Sequence, residues 1–186
     1  MKVHRSLLQL NSEIATCMGC RLSRKRRNAV PGEGPTDAEI MFVGEAPGES
    51  EDLQGRPFVG AAGRLLNELL ASINLRREEV VITNVVKCRP PGNRPPRADE
   101  MEACSKFLSR QMAMVNPKFV CTLGDFALRR LVGKELSIAK VHGEKRSRHG
   151  RIFVPMYHPA AALYMFRLRE TMMKDFRRLA ELLRQQ

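Results

Sequence analysis

Apolar residues fall along this chain with two different periods. Leu7, Leu8, Leu10 and Ile14 recur at helical spacing and predict an amphipathic helix over 4–15. Glu39-Ile40-Met41-Phe42-Val43 is a short apolar run closed by Gly44, the pattern of a buried strand. The stretch from Glu45 to Gly60 is broken by glycines and prolines and predicts a loop. Leu65, Leu66, Leu69, Leu70 and Ile73 then return to helical spacing, and Val80 to Val86 is β-branched almost throughout, which predicts a second strand. Pro90, Pro91, Pro95 and Pro96 interrupt regular structure after it.

A helix is predicted from Arg97 to about Val115, a strand over Phe119–Leu123 and a helix from Phe126 to Val132. Arg151–Met156 reads as a last strand, its Pro155 suited to an edge or a strand end. The tail from Thr171 to Arg184 is amphipathic through Met172, Phe176, Leu179, Leu182 and Leu183. Strands alternating with helices imply an α/β fold, a single three-layer αβα domain over 1–186. Its central sheet is predicted to be four-stranded and mostly parallel. No internal repeat or long linker divides the chain. In such sheets ligands bind beyond the carboxyl ends of the strands, which directs attention to the loops after Val43, Val86 and Met156.

Composition narrows the function classes. The chain has 186 residues, 43% hydrophobic and 28% charged, which excludes a disordered chain. No apolar stretch approaches the ~20 residues that cross a bilayer. Met1-Lys2-Val3-His4-Arg5 lacks the apolar core and small-residue cleavage site of a secretory signal, so a cytoplasmic protein with reduced cysteines is expected. The net charge of +12 points to a polyanion, most simply nucleic acid, although basic composition also serves solubility alone.

Cys17-Met18-Gly19-Cys20 is a tight C-x2-C pair, and Cys88 and Cys104 form a second, wide pair across a proline-rich loop. Four cysteines so placed fit a tetrahedral thiolate site for zinc or for an iron–sulfur cluster. The spacing alone also admits four unrelated thiols. Cys121, inside an apolar strand, reads as a small core residue.

The loop after the first strand carries no G-x-x-x-x-G-K-[ST] phosphate motif, and its four acids repel phosphate. Phe58, set between Gly55 and Gly60, can either stack on a planar ring or fill the core. Taken in order, Gly44-Glu45-Ala46-Pro47-Gly48, Gly55-Arg56-Pro57-Phe58-Val59-Gly60, Thr83-Asn84 leading to Lys87-Cys88-Arg89-Pro90-Pro91, Tyr157-His158-Pro159-Ala160-Ala161 and the four cysteines resemble the family 4 uracil-DNA glycosylases. The resemblance runs from Cys17 to the final helix.

It implies an enzyme that flips deoxyuridine out of DNA, cleaves the N-glycosidic bond and leaves an abasic site, beginning base-excision repair. Cys17, Cys20, Cys88 and Cys104 would hold a [4Fe–4S] cluster of structural role. Glu45, Ala46, Pro47, Glu51, Phe58, Asn84 and His158 would form the uracil pocket. Phe58 would stack on the base, Asn84 would read O4 and N3–H, Glu51 would block a 5-methyl group, and His158 would donate to O2. Where family 1 enzymes carry a water-activating aspartate this chain has Ala46. Glu45 beside it is the candidate acid, and the general base stays open.

For DNA contact the expected residues are Arg24, Arg26 and Arg27 after the second cysteine, Lys145 and Arg146 before the last strand, and Leu163 as the wedge into the stack. Each phosphate contact steepens the salt dependence of binding by about 0.9 in logarithmic slope. The expected partner is uracil-containing DNA, bound by a monomer associated with the nucleoid, with no membrane. A non-catalytic DNA-binding relative, like the glycosylase-like domains joined to some viral polymerases, is the alternative; the base-reading and charge-stabilising groups together argue against it. A metal-dependent nuclease would need clustered ligands, and the histidines at 4, 142, 149 and 158 are scattered. No histidine lies between Cys88 and Cys104, which disfavours the covalent capture of DNA seen in one related subgroup.

Overall fold

A computed structural model describes residues 7–185 of the chain. Its centre is a parallel sheet of β1 (Ile40–Gly44), β2 (Val81–Asn84), β3 (Phe119–Leu123) and β5 (Arg151–Met156). A fifth strand, β4 (Arg146–Arg148), pairs antiparallel with β5 and gives the order β2-β1-β3-β5-β4. The four-stranded expectation is therefore corrected to five. Arg-Ser-Arg has no apolar alternation, because an edge strand lying mostly in solvent needs none.

Eight α-helices accompany the sheet among the described residues: α1 (Leu7–Ala15), α2 (Glu49–Gln54), α3 (Ala61–Ala71), α4 (Ala98–Val115), α5 (Asp125–Leu131), α6 (Ile138–Val141), α7 (Ala161–Tyr164) and α8 (Leu168–Arg184). The first helix matches its expectation from residue 7 onward; residues 4–6 lie outside the described part. The expected loop from Glu45 to Gly60 contains α2, whose first turn closes when Glu51 reaches back to the N–H of Gly48 at 3.1 Å.

Alternate residues of each strand enter two cores, as a strand period of two requires. Met41, Val43, Val81, Val120 and Phe153 pack with α1, α4 and α5 on one face. Phe42, Ile82, Cys121, Leu123 and Val154 pack with α3 and α8 on the other. Both faces are covered, which is why the strands read as continuous apolar runs. Cys121 is fully buried on the second face, as a core residue.

Strand β2 stops at Asn84, short of the predicted Val86. There the N–H groups of Val85 and Val86 leave the ladder for the carbonyls of Gly44 (2.9 Å) and Glu45 (3.1 Å). This exchange knits the ends of β1 and β2 together and builds the floor of the crevice beyond them. None of the described helices is long and apolar enough to cross a membrane.

Candidate active site

A cavity of about 400 Å³ opens at the carboxyl end of the sheet. That is within the range of small-ligand pockets. Its lining includes Glu45, Ala46, Pro47, Glu51, Phe58, Asn84 and His158, the seven residues expected from the sequence to meet the base. Three separate strand ends deliver them. Glu45–Pro47 follow β1, Asn84 ends β2, and His158 follows β5 two residues past Met156.

Asn84 is buried, and its side-chain Oδ1 has no hydrogen-bond partner among the described residues. A buried polar atom without a partner costs about 1–3 kcal/mol, so its presence in a pocket wall marks a place for a ligand's donor. Gly44 makes the room. A Cβ there would overlap Asn84 Oδ1 and stand 2.6 Å from Phe58 Cζ. Below the pocket, the carbonyl of Asn84 accepts from the buried ammonium of Lys87 at 2.7 Å, which also donates to Thr83 Oγ1 (2.6 Å) and Gln111 Oε1 (2.7 Å). Lys87 stands in the quoted motif Lys87-Cys88-Arg89-Pro90-Pro91, but sequence reasoning gave it no role of its own.

The ring of His158 lies 5.4 Å from that of Phe58, centre to centre, at 29°. Phe58 is both core and cavity wall, so the two readings of it are not exclusive. Burial pushes the His158 pKa down to about 4, against an upward pull from Glu51. The imidazole is therefore neutral near pH 7. Its Nδ1 accepts the N–H of Ala160 at 3.1 Å, which places the ring proton on Nε2, where it can donate to a ligand.

A depressed histidine pKa has a consequence for stability. The folded protein resists protonation that the unfolded chain accepts, so this contribution is complete above pH 6.5, the unperturbed value, and is lost as pH falls toward 4. Melting curves of the protein and of His158→Ala should converge across that interval, the natural protein losing more stability on acidification. Parallel curves would contradict the assignment.

Glu51 is placed at the cavity but does not leave a free carboxylate there. Oε1 accepts from the N–H groups of Val59 (2.8 Å) and Gly60 (2.9 Å), and Oε2 from Gly48. It is a rigid wall joining two loops. Glu45, by contrast, has a side chain that makes no hydrogen bond or ion pair among the described residues, and burial raises its pKa.

The four cysteines expected to act together do come together. Cys17, Cys20, Cys88 and Cys104 line one small cavity with Ile14, Ala103 and Phe107, and none is in a disulfide. The N–H of Gly19 donates to Cys17 Sγ at 3.3 Å, and Arg26 Nη1 to Cys88 Sγ at 2.9 Å. Hydrogen bonds to sulfur of this kind accompany thiolate ligands. No three of the described His, Cys, Asp and Glu side chains form a group that fits a single metal ion.

Arg26, expected at a DNA surface, is turned inward: its second Nη donates to the carbonyl of Ala15 at 2.8 Å. Arg24, Arg27 and Lys145 are exposed. Arg146 pairs with Glu144 at 2.7 Å. Leu163 is half-exposed in α7, but Tyr164 beside it, 90% exposed, is the one that reaches the cavity rim, and Phe166 is 79% exposed. Arg94 also lines the cavity, a position sequence reasoning missed, with its guanidinium held by buried Glu100 at 2.6 and 2.8 Å.

Comparison with known proteins agrees with this geometry. Residues 31–183 match the model of the uracil DNA glycosylase superfamily. A type-4 uracil-DNA glycosylase of Sulfurisphaera tokodaii is 50% identical over 95% of this chain and 84% of its own length. That of Saccharolobus solfataricus is 47% identical over 92% of this chain and 83% of its own. The enzyme of Archaeoglobus fulgidus is 47% identical over 95% and 93% respectively.

Proposed function

The chain belongs to the uracil DNA glycosylase superfamily, and on that premise we propose that it excises uracil from DNA with the flipped base seated in the cavity at the sheet's carboxyl end. The observation that carries this reading is the convergence of two polar groups without partners among the described residues, Asn84 Oδ1 and the Nε2–H of His158, on one cavity beside Phe58.

Phe58 stacks on the uracil ring. Asn84 accepts from N3–H through Oδ1 and donates to O4 through its amide nitrogen; cytosine offers the opposite pattern along that edge. Glu51, immobilised by three backbone N–H groups, closes the pocket against the 5-methyl of thymine. As the glycosidic bond breaks, negative charge gathers on the departing base, and neutral His158 donates to O2 where that charge develops. Glu45 holds the water that captures the sugar carbon, its carboxylate facing the developing oxocarbenium ion. Ala46 and Pro47 shape the adjacent wall.

Arg24, Arg27, Lys145 and Arg146 hold phosphates around the mouth, and the exposed apolar run beginning at Leu163 and including Tyr164 enters the space the base leaves. Arg26 serves the cysteine cavity instead. There Cys17, Cys20, Cys88 and Cys104 are the ligands of a [4Fe–4S] cluster, supported by their shared cavity and by the hydrogen bonds that Gly19 and Arg26 donate to two of the sulfurs. Bound there, the cluster supplies a covalent tie between the N-terminal segment and the loop that follows Asn84. The protein acts on its substrate as a monomer.

The direct test is release of an abasic site from a labelled oligonucleotide carrying one uracil, in chelator without added metal, using protein purified with its iron and sulfide. Cleavage at uracil with none at a matched thymine is expected. No release by cluster-bearing protein would overturn the reading.

A further inference from the structure

Two residues lining the pocket have left-handed backbones, Asn93 at a φ of 54° and Phe58 at 49°; asparagine tolerates that region, and Phe58 is the bulky side chain held in it. A bulky residue rarely adopts that conformation unless its surroundings impose it. Three of its neighbours do so here. Glu51 holds the N–H groups of Val59 and Gly60 on one side. Gly63 of α3 lies directly beneath, where any Cβ would overlap the Phe58 carbonyl. On the remaining side Arg77 Nη1 donates to the carbonyl of Phe58 at 3.0 Å, while Nη2 donates to that of Pro57.

Arg77 is itself fully engaged. It stands in the single 3-10 turn Arg77–Glu79 before β2, with its side chain only 13% exposed. Nη1 also reaches Asn67 Oδ1 at 3.0 Å, and Nε donates to Glu33 Oε1 at 2.6 Å. Glu33 in turn is anchored to β2, since its N–H meets the carbonyl of Ile82 at 3.0 Å and its carbonyl the N–H of Ile82 at 2.8 Å. Ile82 is two residues before Asn84. Burial works against the Glu33 charge, but Arg56 and Arg77 hold its carboxyl below the usual range, so the pair stays ionised at neutral pH.

A continuous path of hydrogen bonds therefore runs from the backbone of the base-stacking residue to the strand of the base-reading residue, and it passes outside the cavity. We propose that Arg77, oriented by Glu33, is a positioning residue that sets the Phe58 ring against Asn84 and so fixes where the uracil plane lies. The inference rests on the glycosylase reading for the identity of the ligand. The guanidinium is needed for its shape: it spans two successive carbonyls, Asn67 and Glu33 at once, a task lysine's single nitrogen does not perform.

The test is a double-mutant cycle on uracil release, combining Arg77→Lys with Phe58→Leu. Arg77→Lys keeps the charge facing Glu33, so a bridge of merely structural worth should be rescued by it. Because misplacement of a binding group by about 1 Å can cost up to roughly 10²-fold, Arg77→Lys alone should lower kcat/KM on the order of 10- to 100-fold. Once Phe58 is leucine, the same change should cost less than about twofold, the range of independent sites. The inhibition constant of free uracil should weaken in parallel, with the melting temperature held close to that of the natural protein. An equal loss in both backgrounds, or no loss in the first, would overturn the proposal.

A second measurement is independent of activity. The Phe58 and His158 rings shield one another, so their ring-proton chemical shifts report the placement of Phe58. Those signals should move in Arg77→Lys and in Glu33→Gln; unmoved signals would overturn the proposal even if the protein released no uracil. Failure of the natural protein to release uracil would instead count against the glycosylase reading alone.

Discussion

Asn84→Leu is expected to lower kcat/KM for uracil release by roughly 10²- to 10⁴-fold, the largest effect of any single change in the pocket. The estimate follows from leaving O4 and N3–H of the base unpaired in a dry site, at about 1–3 kcal/mol for each group. The same change should not destabilise the protein. Asn84 Oδ1 is already buried without a partner, so an apolar side chain of similar shape removes an unsatisfied group from the folded state. Activity and melting temperature should thus move independently, or in opposite directions. A variant that loses both together would mean that Asn84 is a packing residue and that the base is read elsewhere. Selectivity carries the same signature: the margin between uracil- and cytosine-containing oligonucleotides should narrow sharply.

His158→Ala is expected to reduce kcat by about 10²–10³ with a much smaller change in KM, since a donor to O2 matters most when charge has moved onto the base. The geometry is specific about the form of that donor. Nδ1 is occupied by the N–H of Ala160 and the pKa is pushed down to about 4, so the donor is the Nε2–H of a neutral ring. Single-turnover rates should accordingly show no loss attributable to this histidine as pH rises through 6.5, where an imidazolium donor would lose its proton. A fall in rate across that range that disappears in His158→Ala would contradict a neutral donor.

These two residues are joined by backbone rather than by each other. Asn84 ends β2 and His158 follows β5, and between them in the sheet lie β1 and β3. Their separation is set by strand spacing, which makes the pocket a rigid feature of the fold. The cysteine cavity adds a tie from a different direction. Lys87, next to Cys88, holds the carbonyl of Asn84, so the loop that carries Cys88 is also the support of Asn84.

Much of the candidate site was legible because its residues lie in short contiguous motifs at strand ends. The strands could be read from apolar runs, and the rule that ligands sit beyond their carboxyl ends pointed to the loops after Val43, Val86 and Met156; the resemblance to family 4 uracil-DNA glycosylases then named Glu45, Asn84 and His158. The parts that were not legible depend on where side chains turn. Arg26 looked like the basic residues around it, yet one guanidinium faces a buried sulfur and the others face solvent. Glu51 was expected at the pocket wall, but what holds it there could not be read, because only folding brings the N–H groups of Val59 and Gly60 to it. Strand β4 escaped notice because an exposed Arg-Ser-Arg edge carries no periodic signal.

The chain by itself determined the layered α/β architecture and its four parallel strands, and its motifs, through their family resemblance, named seven residues that line the pocket and the four cysteines that share a cavity. These follow from local patterns: apolar periodicity decides which face is buried, and residue chemistry at a strand end limits what that end can do. Tertiary structure alone decided the protonation state of His158, the burial of Asn84 Oδ1 without a partner among the described residues, the left-handed backbone of Phe58 and the Arg77–Glu33 path that holds it. Each of those depends on burial, or on contacts between residues far apart in the chain. Such contacts arise from the summed packing of both cores, and no local pattern encodes them.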